Sequence, residues 1–155
     1  MIETRRAVVL PQHGRSFHQI DEVLDEDLIA RTIETVHRFT GADYLCEADH
    51  LLPVVVKAGV LHLESMAQTF GQLVMRIPEA QEFTEGKTLM FSGIGEVRFP
   101  GMAPAGSEII YKCQLTYLSP KGARGNGQAF VDEKLVCEAK ELRFVFVKAS
   151  KIPPA

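Results

Sequence analysis

Tryptophan is absent from these 155 residues, cysteine occurs three times, and no apolar run approaches the ~18 residues a membrane-spanning helix needs. Each shortage excludes something. Without a long apolar run, no transmembrane segment is expected. Cys46, Cys113 and Cys137 are odd in number and lack metal-ligand spacing, so reduced thiols in a cytoplasm are the expectation. Basic residues are not in excess: 17 Lys and Arg against 20 Asp and Glu give a formal charge of −3, which argues against a nucleic-acid surface. Met1–Arg6 carries Arg5 and Arg6 with no apolar region of signal-peptide length behind them, so no secretory signal is expected. What remains is an ordinary globular composition, 46% hydrophobic and 24% charged. It suffices for one domain over 1–155 with a core of its own, and 1–9 and 150–155 are expected to be flexible ends.

Residues 1–16 read as irregular, with Pro11 and Gly14 as breakers. Phe17 to Phe39 fits neither period cleanly; a hairpin is favoured, with Asp25-Glu26-Asp27 as a turn. Residues 40–58 read as a loop. From Gly59 to about Met75 the pattern is helical and stops before Pro78. After residue 87 everything reads as strand, four strands in all. Leu89, Phe91, Val97 and Phe99 share a face with Gly93 and Gly95, and glycine there marks a close approach. Ile109, Tyr111, Cys113, Leu115 and Tyr117 alternate. Lys121–Gly127 reads as a turn or wide loop, and a last hairpin turns at Asp132-Glu133-Lys134. A phase change between Ala139 and Leu142 predicts a bulge. One antiparallel sheet wrapped on one long helix, an α+β arrangement, is the economical solution.

Two residues stand out chemically. His50 and Glu64, fourteen positions apart, bracket the Gly59-opened apolar segment. Glu64 and Gln68 are polar inside a run of Leu61, Leu63, Met66, Phe70 and Leu73. A helix apolar nearly all round is buried, and a carboxylate there is desolvated toward a working range for proton transfer. Gly59 at the helix head leaves backbone N–H groups for a carbonyl or oxyanion. A base, an acid and an N–H donor amount to proton transfer beside a carbonyl.

Other polar residues carry blander readings. His62 reads as lying on an exposed or interface side of the helix, with no role. His13, His18 and His37 read as surface, and the cysteines as packing. Lys57, Arg98, Lys121 and Arg124 read as solvated charge, or as a set facing an acidic partner.

These residues also carry a family resemblance. Leu10-Pro11, Phe17, Ile20-Asp21-Glu22-Val23, the strand Phe91-Ser92-Gly93-Ile94-Gly95-Glu96-Val97-Arg98-Phe99, Gly106 and Val131-Asp132 resemble the 3-hydroxyacyl-(acyl carrier protein) dehydratases of the FabZ/FabA type. So does the central stretch, which in that family runs His-Phe-Pro-Gly, then Pro-Val, Pro-Gly-Val-Leu, Glu or Asp, and Ala-Gln. Here Leu51-Leu52-Pro53 follows the histidine, Val55 replaces the second proline, Ala58 the proline before Gly59, and Asp49 the glycine before His50.

The resemblance implies a hot-dog fold and the removal of water from a 3-hydroxyacyl thioester in fatty-acid or polyketide-type synthesis, with no metal or organic cofactor. It implies His50 and Glu64 as the catalytic pair. It further implies Gly59 as the donor to the thioester carbonyl and Gln68 as the residue holding Glu64. The partners implied are an acyl carrier protein and a second copy of the chain, or three such dimers together, with no nucleic acid and no membrane. A hot-dog thioesterase and a non-catalytic acyl- or carrier-binding subunit are the alternatives.

Overall fold

A computed structural model describes residues 18–42 and 55–154, and residues 6–7 in backbone alone. These contain eight strands: β1 (Arg6–Ala7), β2 (Glu22–Asp27), β3 (Thr32–Phe39), β4 (Lys87–Gly93), β5 (Glu96–Arg98), β6 (Ser107–Ser119), β7 (Gly122–Val131) and β8 (Lys134–Lys148). Helix α1 covers Gly59–Arg76 and the short α2 covers Ala80–Thr84. The strands form one sheet in the order β1-β2-β3-β6-β7-β8-β4, with β5 also on β8, and every pairing is antiparallel. A single sheet wrapped on one long helix is the hot-dog arrangement expected.

Helix α1 ends where the chain turns extended at Ile77, because the ring of Pro78 crowds the residue before it out of the helical region. Its buried face carries Met66, Phe70, Leu73 and Val74, and also His62, Ser65, Thr69 and Gln72. The opposite stripe, Val60, Glu64, Ala67, Gly71 and Met75, repeats every three or four residues and stays partly or fully open. The helix is therefore buried on most sides but not nearly all round, unlike the reading from its apolar run. Glu64 sits on the open stripe.

The β2–β3 hairpin forms as expected, with its turn displaced. Asp25 and Glu26 belong to the strand, opposite Glu34 and Ile33. The turn begins at Asp27, whose carboxylate accepts the N–H groups of Ile29 and Ala30 at 3.0 and 2.9 Å, and Arg31 closes it at φ 56°. Asp132 and Glu133, at φ 48° and 64°, form the two-residue turn of the last hairpin. The bulge in β8 falls at Lys140–Glu141: Gly125 faces Leu142, Gly127 faces Ala139, and Glu141 has φ 53°.

That bulge has a second effect. The segment read as one strand from Leu89 to Phe99 breaks into β4 and β5, so five strands, not four, follow α1. The Gly95 N–H bonds the carbonyls of Lys140 and Glu141 at 3.1 and 3.2 Å, and a Cβ on Gly95 would lie 2.9 Å from that of Glu141. A register shift after Leu115 similarly takes Tyr117 out of the buried row.

Residues 121–127 are not a wide loop. Only Pro120 and Lys121 turn, and Gly122, Gly125 and Gly127 are strand residues of β7. A Cβ at Gly125 would lie 2.2 Å from the Gln114 carbonyl and 2.5 Å from the Phe70 ring. One at Gly127 would lie 2.8 Å from Met66 Sδ. Glycine lets the sheet close onto α1. The short helix α2 and the two-residue β1 were absent from the sequence reading. Of the loop expected at 40–58, residues 43–54 lie outside the described residues. The described end runs alongside the segment after β5, where Val56 bridges Pro104 and the Lys57 N–H bonds the Ala103 carbonyl at 2.9 Å.

Candidate active site

Helix α1 sets the geometry. Glu64, on its open stripe, is half-buried. The Gln68 side-chain amide, one turn on, donates to its carboxylate at 3.0 Å. The other end of that amide accepts the Gln19 backbone N–H at 2.8 Å, so its orientation follows from its partners. A turn earlier, the Ser65 hydroxyl donates to the Gln19 carbonyl at 2.8 Å. The segment entering β2 is thus fastened to α1 at Ser65 and Gln68, next to Glu64.

Glu64 and Gln68 stand at one end of a groove of about 650 Å³ between α1 and strands β4 and β8. Leu89, Phe91, Phe144 and Met75 make its walls largely apolar. A chain of methylenes fits such a lining, while the polar end offers a carboxylate. At the head of the helix, Ala58 gives no side-chain cap and the first turn holds no acidic residue. The first N–H groups of α1 are therefore not bonded to a side chain at the N-cap. A Cβ on Gly59 would lie 3.0 Å from the Phe99 ring, so a side chain there would press on that ring. Side chains on a helix lean toward its N-terminus, which carries Glu64 toward the Gly59 end. His50, His13 and Cys46 lie outside the described residues.

Three residues read as surface or solvated are buried instead. Lys57, His37 and His62 are only 3%, 5% and 2% exposed. Lys57 Nζ lies 2.8 Å from His37 Nδ1 and 2.6 Å from Ser65 Oγ, and 5.3 Å from the centre of the Tyr111 ring. His62 Nδ1 lies 2.8 Å from the Tyr111 hydroxyl. Burial, and secondarily the charge of Lys57, lowers both histidines to about 3, so they are neutral near pH 7. Burial raises the Tyr111 phenol well above its ordinary range, and it keeps its proton.

The sequence did hold a signal for this cluster. His62 precedes Met66 by four and Phe70 by eight, the spacing of one helix face. His37 alternates with Ile33, Thr35 and Phe39 in a strand whose same-side residues are all buried. What it did not hold was the partner of each.

The basic set does not form a patch. Lys57 is inside, Arg98 pairs with Glu138 and Glu96, and the Arg124 guanidinium stacks 4.5 Å above the Tyr117 ring. Cys113 and Cys137 are buried thiols that burial pushes up, Cys137 to about 11, as packing residues would be. Among the described residues no group of His, Cys, Asp and Glu is placed to hold a metal ion, and no helix is long and apolar enough to cross a membrane.

Comparison with known proteins agrees with the fold and the family resemblance. The 3-hydroxyacyl-[acyl-carrier-protein] dehydratase FabZ of Chlamydia muridarum is 32% identical over 140 residues, 90% of this chain and 89% of its own. That of Chlamydia pneumoniae is 30% identical over 152 residues, covering 98% and 97%. Among solved structures, the dehydratase heterocomplex ApeI:P from Xenorhabdus doucetiae superposes with a TM-score of 0.69 at 14% identity, over 90% of this chain and 89% of that one. A putative thioesterase from Ralstonia eutropha gives 0.61 at 21% identity, over 79% and 83%; at such identities the likeness is one of fold. Residues 11–140 match the family described as FabA-like domain, and the chain belongs to that family.

Proposed function

We propose that this chain removes water from a 3-hydroxyacyl thioester held on an acyl carrier protein, giving the trans-2-enoyl thioester, in cytoplasmic fatty-acid or polyketide-type synthesis. The observation that carries this reading is the Glu64 carboxylate, held by Gln68 at the polar end of an apolar groove beside the head of α1. In the proposed mechanism His50 takes the α-proton and Glu64 protonates the departing 3-hydroxyl. The Gly59 N–H and the positive end of α1 stabilise the enolate-like oxygen, where charge develops. Gln68 keeps Glu64 aimed. The thioester acidifies the α-carbon by itself, so these residues suffice.

The same reading makes the active unit a homodimer, alone or as three dimers together. Among the described residues β4 is paired only through β8, and Met90 and Phe91 on it are 46% and 41% exposed. An apolar edge of that kind is suited to joining the same edge of a second copy. In that arrangement His50 of one subunit completes the site at Glu64 of the other.

The deciding assay offers the protein two carrier-bound substrates. A 3-hydroxyacyl thioester should lose water, seen as enoyl absorbance, and an acyl thioester lacking the hydroxyl should release no thiol. Thiol release without dehydration would replace the proposal with a thioesterase. Binding without either reaction would make the chain a non-catalytic subunit.

A further inference from the structure

The start of α1 lacks the usual devices that hold a helix end. Ala58 supplies no cap, which costs about 1 kcal/mol against Ser or Asp. Gly59 is a poor helix former, and no acidic residue in the first turn answers the helix dipole. A proline at position 58 would pre-set the backbone, but this chain has alanine there. Yet this is the turn whose N–H must meet a carbonyl, and it runs within a few residues of Glu64.

Lys57 stands immediately before that turn. Its backbone is bonded to Ala103, and its side chain runs inward to Ser65 on the second turn of α1 and to His37 on β3. An ammonium only donates, so neutral His37 accepts through Nδ1, and the Ser65 hydroxyl passes its own proton on to the Gln19 carbonyl. Three segments that flank Glu64 and Gly59 meet at one nitrogen. Burying an ammonium is expensive, and a well-packed apolar side chain of similar size is often neutral or better. A cation near a helix N-terminus is also on the wrong end of the dipole.

We infer that Lys57 is a positioning residue: its buried tether to Ser65 and His37 fixes the first turn of α1, and with it the Gly59 N–H relative to Glu64. This rests on the dehydratase reading for its catalytic consequence but not for its structural one. A small displacement of a donor from the reacting oxygen costs rate rather than affinity.

The test uses the full chain with Lys57→Met and Ser65→Ala, steady-state kinetics on a 3-hydroxyacyl thioester, and amide hydrogen exchange resolved along the chain. Lys57→Met should lower kcat by about tenfold or more, as expected for a displaced donor, and leave KM within about threefold. The Leu61 and His62 amides should exchange at least about tenfold faster while those of β6 and β7 keep their protection. Ser65→Ala, which removes one bond of the tether, should shift the same quantities in the same direction by less. Unchanged kcat and unchanged exchange in a folded Lys57→Met protein would overturn the inference. If that variant does not fold, Ser65→Ala decides alone, and wild-type kinetics and exchange there would likewise overturn it. Should the unmodified protein dehydrate nothing, the functional reading fails, and the exchange data still decide whether Lys57 holds the turn.

Discussion

Acid should unfold this protein earlier than its carboxylates alone would. His37 and His62 are neutral in the folded state and lowered to about 3 by burial and by Lys57, against 6.5 for an ordinary histidine. The unfolded chain therefore binds protons that the folded chain refuses. Their contribution to stability is fully present above pH 6.5 and is lost progressively as pH falls toward 3. At pH 5 each histidine costs about 2 kcal/mol, from ~1.4 kcal/mol per pH unit below the unfolded value. Together that is about 4 kcal/mol, a large share of the ~5–15 kcal/mol by which a domain is stable. Urea unfolding followed by circular dichroism at pH 7.5, 6.0 and 5.0 measures it directly. The midpoint should already be lower at pH 6.0 than at pH 7.5 and should drop more steeply between pH 6.0 and 5.0. His62→Gln, which removes one titrating group, should roughly halve the slope, even if it lowers the midpoint at pH 7.5 by unpairing Tyr111. A midpoint that does not move from pH 7.5 to 5.0, or a variant with the wild-type slope, would refute the argument.

Four further outcomes are expected. His50→Ala and Glu64→Gln should each lower dehydration by ~10²-fold or more with the circular dichroism spectrum retained; mixing the two should restore activity toward half per dimer, and dead purified heterodimers would exclude a shared site. Gly125→Ala should fail to give a folded protein, since its Cβ would collide with the Gln114 carbonyl and the Phe70 ring. Gly71→Ala, with nothing within 4 Å of the new methyl, should raise stability by up to about 1 kcal/mol in thermal unfolding. Met90→Lys on the open edge of β4 should shift sedimentation from dimer to monomer at micromolar concentration, as a charge on an edge strand opposes pairing.

Much of the architecture was legible because it is written in short-range patterns. The 3.6-residue period before Pro78 marks α1 within a residue of its observed end, and period-two alternation marks β6. Even the bulge in β8 shows as a broken alternation at Ala139 and Leu142. The candidate residues Glu64, Gln68 and Gly59 were visible for the same reason, since their spacing on one helix is a local property. His50, the fourth, lies outside the described residues.

Other features depend on what one segment meets in another. Gly122, Gly125 and Gly127 carry the composition of a turn, and only pairing with β6 and β8 makes them strand residues, with the Phe144 carbonyl crowding Gly122 and α1 crowding Gly125 and Gly127. A lysine and two histidines carry the composition of a surface. Lys57 is buried because a hydroxyl from α1 and an imidazole from β3, twenty residues back in the chain, converge on its nitrogen. His62 is buried because Tyr111, forty-nine residues on, meets its ring. Periodicity is carried by each segment alone and so survives in a bare sequence. Whether a polar group can be buried depends on a partner within about 3 Å, and that distance exists only once the sheet has closed around the helix.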